Sequence, residues 1–140
     1  MISSFTEKNS VNYLKSFSDQ VLFEANPDAR TKYSSYFLSW DKNDEERYFI
    51  NVVNHLKKST SITLTFDNFP DSQGDSSLVQ TDYEIIVSLV DFTDTKKFFG
   101  QMQIQLVRDQ SGYWSIKSWA DVISHPDSTW SDLKGLASTW

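Results

Sequence analysis

The sequence predicts an α+β domain, N-terminal helices packed on a curved antiparallel β-sheet, and three observations lead there. An apolar stripe at steps of three and four residues runs from Phe49 to Leu56. From Ile62 onward the hydrophobic period changes to two and holds through three runs. The composition, 39% hydrophobic and 15% aromatic over 140 residues, supplies a core without disulfide or metal staples. One domain spanning residues 1–140 is expected.

Near the N-terminus, Phe5, Val11, Leu14 and Phe17 are spaced loosely as one helix face. Gln20-Val21-Leu22-Phe23-Glu24-Ala25 then reads as a short strand stopped by Asn26-Pro27. Residues 28–40 carry Ala29, Tyr33, Tyr36, Phe37 and Trp40 at steps of three and four, the pattern of a helix or an aromatic-anchored loop. The clearest helix covers 44–58: Asn43 can cap it, Glu46 completes a capping box, and Phe49, Val52, Val53 and Leu56 form its stripe. Asp44, Glu45 and Glu46 then suit the positive end of the helix dipole, and Lys57 and Lys58 the negative end.

In the strands, Ile62, Leu64 and Phe66 alternate with Thr63, Thr65 and Asp67. The linker-like stretch Pro70 to Ser77 reads as a loop between strands. Beyond it, Val79, Thr81, Tyr83, Ile85, Val87 and Leu89 alternate with Gln80, Asp82, Glu84, Ile86 and Ser88. The third run puts Phe98, Gly100, Met102, Ile104 and Leu106 on one face and Phe99, Gln101, Gln103 and Gln105 on the other. Asp109-Gln110-Ser111-Gly112 is a turn into a last strand, where Trp114, Ile116 and Ser118 share a face before Trp119 shifts the parity. That shift marks a bulge, and bulges curve sheets. A sheet bent around the helices is a cone whose open end holds an aromatic-lined pocket.

A formal charge of −6 argues against a nucleic-acid surface, because the longest basic runs are the pairs Lys57-Lys58 and Lys96-Lys97. With no cysteine there is no disulfide framework, thiolate nucleophile or thiolate metal site. Residues 1–10 lack the apolar centre of a secretory signal, and no run approaches the ~20 apolar residues that span a bilayer. The chain reads as soluble, and a trimmed exported protein would read the same.

Helices followed by long curved strands ending in Tyr113-Trp114-Ser115-Ile116-Lys117-Ser118-Trp119 resemble the nuclear-transport-factor-2-like superfamily, whose fold is also called cystatin-like. Asn12-Tyr13-Leu14, Gln20 to Asn26, Ser39-Trp40-Asp41 with Glu46, and residues 114–121 followed by Thr129-Trp130-Ser131-Asp132-Leu133-Lys134-Gly135 look like a group of uncharacterised bacterial proteins, many of which look like exported lipoproteins. The superfamily includes isomerases, dehydratases, cyclases and epoxide hydrolases beside non-catalytic binding and assembly modules, so the resemblance implies fold and not chemistry. A ketosteroid-isomerase-like site would need a Tyr and two carboxyl groups converging in the cone. Tyr13, Tyr83 and Asp121 supply the types without a family motif around them.

Among single residues, His55 at the edge of the helical stripe is the natural neutral-pH base, against the plainer reading of a boundary histidine satisfied by a hydrogen bond. His125 beside Pro126 reads as an exposed turn, and two distant histidines make no zinc site. Asp82 and Glu84 fall on the wet face of their strand. Asp121 follows Trp119 where the sheet opens, with pairing or turn capping as its plainer role. No nucleophile elbow and no glycine-rich phosphate loop is present. Trp114, Trp119, Trp130 and Trp140 could stack on a ligand, with core filling as the plainer role for the first two.

The expectation is therefore a domain holding a small apolar ligand or a partner peptide in the cone, with no cofactor or metal. Tyr83, Met102, Trp114 and Trp119 would line the pocket, and His55 and Asp121 would offer its polar contacts. The alternatives are an isomerase or dehydratase using His55 or Asp121 as base, and a homodimeric assembly module pairing through the face around Ile86 and Phe99.

Overall fold

The period-two runs pair into one five-stranded sheet, and the computed structural model describes it together with the helices over residues 1–58, 60–67, 74–123 and 125–140. Two short helices open the chain, α1 (Ile2–Thr6) and α2 (Ser10–Leu14), followed by β1 (Phe17–Glu24), α3 (Pro27–Lys32) and α4 (Lys42–Asn54). Strands β2 (Thr63–Asp67), β3 (Ser76–Val87), β4 (Lys96–Arg108) and β5 (Trp114–Asp121) form a meander, and α5 (Trp130–Ala137) follows. The spatial order is β1-β5-β4-β3-β2. The three meander ladders are antiparallel. β1 joins β5 in parallel, because α3 and α4 carry the chain from β1 to the far edge before the meander returns.

The alternation assigns the faces. Val79, Thr81, Tyr83, Ile85 and Val87 of β3 and Met102 and Ile104 of β4 are buried, while Gln101, Gln103 and Gln105 stay partly exposed on the other side. On β5 the register skips Lys117: Gln105 pairs with Ser118 and Leu106 with Ile116. This bulge turns Ile116, Trp119 and Asp121 all inward. Gly100 lies opposite Tyr83, and a Cβ there would come 2.7 Å from the Tyr83 hydroxyl, so only glycine lets that ring cross β4.

Several element boundaries differ from expectation. α4 begins at Lys42, not residue 44, because Asp41 caps it and Asp44 returns the bond to the Asp41 amide at 3.0 Å. It ends at Asn54, so Lys57 and Lys58 lie beyond it, and the Lys57 amide instead donates to Ser88. The expected first helix face divides into α1 and α2, leaving Val11 exposed and Phe17 in β1. Of the expected loop 70–77, residues 70–73 lie outside the described residues and Ser76 and Ser77 already belong to β3. The tail after β5 forms α5, for which the sequence reading has no helix. Thr129 caps it and Asp132 completes the box.

One core draws on every element, from Phe5 of α1 to Ala137 of α5. α5 is the most enclosed: Trp130, Leu133, Lys134 and Ala137 are each 0% exposed. No helix among the described residues is long and apolar enough to cross a membrane.

Candidate functional site

The interior between sheet and helices holds two polar clusters, each built around a carboxylate. The first is Asp121, carried inward by the bulge at the end of β5. Its Oδ1 accepts from the Tyr83 hydroxyl at 3.0 Å, and its Oδ2 from the Ser131 amide (3.0 Å), the Ser131 hydroxyl (2.6 Å) and Asn26 Nδ2 (3.3 Å). The Tyr83 hydroxyl in turn accepts from the Trp130 amide at 2.7 Å. Asp121 and Tyr83 therefore hold the two leading amides of α5, Trp130 and Ser131, which no bond within the helix can satisfy. Burial raises the Asp121 carboxyl above its ordinary value, against the pull of the Ser131, Tyr83 and Asn26 hydrogen bonds. Burial, then the Asp121 charge, likewise pushes the Tyr83 phenol upward.

The second cluster is Glu45, on the inward face of α4. Its Oε1 accepts from the Tyr13 hydroxyl at 2.5 Å, and its Oε2 from Trp40 Nε1 at 2.8 Å and from the ammonium of Lys134. Glu45 is 1% exposed and Lys134 is fully buried. The Lys134 Nζ lies 4.2 Å from the ring centroid of Tyr48, 4.6 Å from those of Phe23 and Trp119, and 4.9 Å from that of Trp40. Burial lowers the Lys134 pKa to about 8, with the Glu45 carboxylate opposing the fall. Burial and the Glu45 charge raise the Tyr13 and Tyr48 phenols well above their usual range. Trp130 closes the space between the clusters, its indole N–H donating to Tyr48 at 2.8 Å and its ring packing on Trp119 and Tyr83.

Of the six residues expected to share a pocket, four meet in this interior. Tyr83 bonds Asp121, Met102 stands opposite Asp121 in the β4–β5 register, and Trp119 packs against Trp130. Trp114 lies at the other end of β5, half-buried under the Arg108 guanidinium at 5.0 Å. His55 caps the end of α4, its Nδ1 2.9 Å from the Asn51 carbonyl oxygen and its ring stacked on Trp140 with centroids 4.0 Å apart. Trp114 and His55 thus lie apart from the other four: Trp114 begins β5, at the end opposite Asp121, and His55 follows the last residue of α4. Reading residues singly missed Glu45 and Lys134, since both look like surface charges. The signal for α5 is the Thr129-x-x-Asp132 capping box followed by Trp130, Leu133 and Ala137 at steps of three and four.

An open groove lies on the opposite side of β1 and β5. It has a volume of about 580 Å³ and runs between residues 37–40 and the outward face of β1, β5, β4 and β3. Leu22, Phe37, Leu38 and Leu78 supply apolar surface, and Gln103, Gln105 and Ser118 supply carboxamides and a hydroxyl. Leu38 is 87% and Leu78 68% exposed. Glu24 and Arg30 pair at 3.4 Å among its walls, and Trp119 and Ala120 also border it. Among the described residues, no group of three His, Asp or Glu side chains could hold a metal ion.

No protein-family model matches the chain, and no curated protein is similar to it in sequence. Solved structures are similar in fold. A conserved protein from Planctomyces limnophilus superposes with a TM-score of 0.67 at 13% identity, covering 88% of this chain and 87% of that one. A nuclear transport factor 2-like superfamily protein from Salmonella enterica serovar Typhimurium gives 0.61 at 14% identity, covering 88% and 84%. A ketosteroid isomerase-like protein from Erwinia carotovora atroseptica gives 0.59 at 10% identity, covering 84% and 83%.

Proposed function

We propose that this chain, with its nuclear-transport-factor-2-like fold, is a binding domain without chemistry of its own, and that it takes a small, uncharged, largely apolar ligand in the outer groove. The observation that carries this reading is the fully buried Lys134 bonded to Glu45: the chain's own helix fills the space between sheet and α4. The groove has the volume usual for small-molecule sites, roughly 300–1,000 Å³. Its leucines and Phe37 favour an apolar body, its carboxamides and Ser118 favour a few neutral hydrogen bonds, and its one acid–base pair neutralises itself. In this reading Trp119 backs the groove, while Tyr83, Met102 and Asp121 hold its supporting sheet against α5.

The rival reading makes Asp121 the base of an isomerase or dehydratase. Against it stand the four hydrogen bonds that Asp121 already accepts and the helix that covers it. A homodimer through the outer face is a second reading, favoured by the exposed Leu22, Leu38 and Leu78 beside an uncharged glutamine row. The two readings exclude each other, because a paired face would bury the groove.

The neutral dye N-phenyl-1-naphthylamine tests the proposal. Wild type should enhance its fluorescence saturably, and Leu38→Asp or Leu78→Asp should abolish the enhancement while circular dichroism stays unchanged. Binding that survives both substitutions, or no binding by a chain that sediments as a monomer, refutes it. A dimer whose dissociation by Leu78→Asp is the main effect supports the second reading instead.

A further inference from the structure

We infer that the chamber between the sheet and α4 is a recognition site for an alkylammonium group, and that Lys134 is its internal ligand. The inference does not rest on the groove. It rests on the walls around one buried nitrogen. Aromatic faces attract a cation through their quadrupoles when it lies within about 6 Å, and recognition of alkylated ammonium groups uses several such faces at once. Here Phe23, Trp40, Tyr48 and Trp119 each stand within that range of the Lys134 Nζ, and Glu45 adds a carboxylate.

These four walls belong to β1, the segment before α4, α4 itself and β5, while a fifth and more distant ring, Trp130 at 6.0 Å, belongs to α5. Tyr13 and Trp40 fix both Glu45 oxygens, so the carboxylate is held in place by groups other than the lysine. The nearer walls are therefore built by the rest of the domain, and the last helix fills the space between them and adds Trp130 at its edge. Replacing Lys134 by alanine removes three methylenes and the ammonium, which together are the skeleton of n-propylammonium, and leaves every wall residue present.

The test is chemical rescue of Lys134→Ala. In sodium chloride this variant should melt well below wild type. In n-propylammonium chloride at equal ionic strength its Tm should climb with the logarithm of concentration, by about 4 °C for each tenfold rise above the Kd. Wild type should show no such climb, n-propanol should not substitute for the cation, and the Lys134→Ala/Glu45→Gln variant should lose most of the response. If Lys134→Ala is unfolded in sodium chloride, the same titration reads refolding through the near-ultraviolet circular dichroism of the tryptophans. No rise and no refolding at any concentration overturns the inference, as does an equal response to n-propanol or an undiminished response with Glu45→Gln.

Discussion

The two faces of the sheet carry alternate residues of the same strands, yet one is closed and the other open. On β4, Met102 and Ile104 face inward with no exposed surface, while Gln103 and Gln105 face outward into the groove. Inside, the Asp121 and Glu45 carboxylates, the Lys134 ammonium and the Trp130 indole N–H all have partners, and aromatic rings fill the space between them. Outside, among the described residues, exposed leucines stand beside carboxamides. The space between sheet and α4 is taken by the chain's own helix α5, and this is why the proposed ligand site is the outer face.

That contrast is most open to attack at the buried ion pair. Lys134→Met alone should destabilise by about 3–5 kcal/mol, because it leaves the Glu45 carboxylate buried without its cation. Adding Glu45→Gln should recover most of the loss, since the amide oxygen can accept from Trp40 Nε1 while the amide nitrogen donates to the Tyr13 hydroxyl. Urea unfolding measures both, and a single variant as stable as wild type would mean that the interior admits water. Trp130→Ala should cost a comparable 3–5 kcal/mol by opening a cavity among Trp119, Tyr83 and Phe5. Dye binding at the groove should persist wherever that variant remains folded.

A smaller effect follows from pH. Burial lowers the folded Lys134 pKa from the ordinary 10.5 to about 8, so between those values the unfolded chain holds a proton that the folded chain has released. This group's contribution to stability therefore rises with pH through that window, by roughly 2 kcal/mol between pH 8 and 10. Below about pH 7 it is flat. Stability measured against pH for wild type and the Lys134→Met/Glu45→Gln variant should differ by that rise, and parallel profiles would show that Lys134 keeps its ordinary pKa. The smallest effect belongs to the groove: Leu38→Ser and Leu78→Ser should change stability by no more than about 0.5 kcal/mol while weakening dye binding severalfold.

The sheet was legible in the sequence because a strand buried on one face writes its exposure every second residue, as residues 98–106 do. The bulge was legible too, in the change of parity before Trp119. α5 was not read, although its capping box is present, because Lys134 interrupts its apolar stripe with a charge that ordinarily marks a wet surface. Glu45 was hidden the same way, at a helix start where an acid suits the dipole and asks for no other explanation. Only distance reveals that pair, for 89 residues separate its members. The groove was equally hidden, since Leu22, Leu38 and Leu78 come from two strands and a connecting segment that only the fold brings together.

Native-state hydrogen exchange of the α5 amides asks most directly whether the interior is closed. If the helix is a permanent part of the core, the amides of Leu133, Lys134 and Ala137 exchange only through global unfolding, with protection equal to that of Met102 and Ile104 in β4. Exchange of α5 through a separate, lower-energy opening while β4 stays protected would make the helix a lid, and the interior rather than the groove would become the place to look for a ligand.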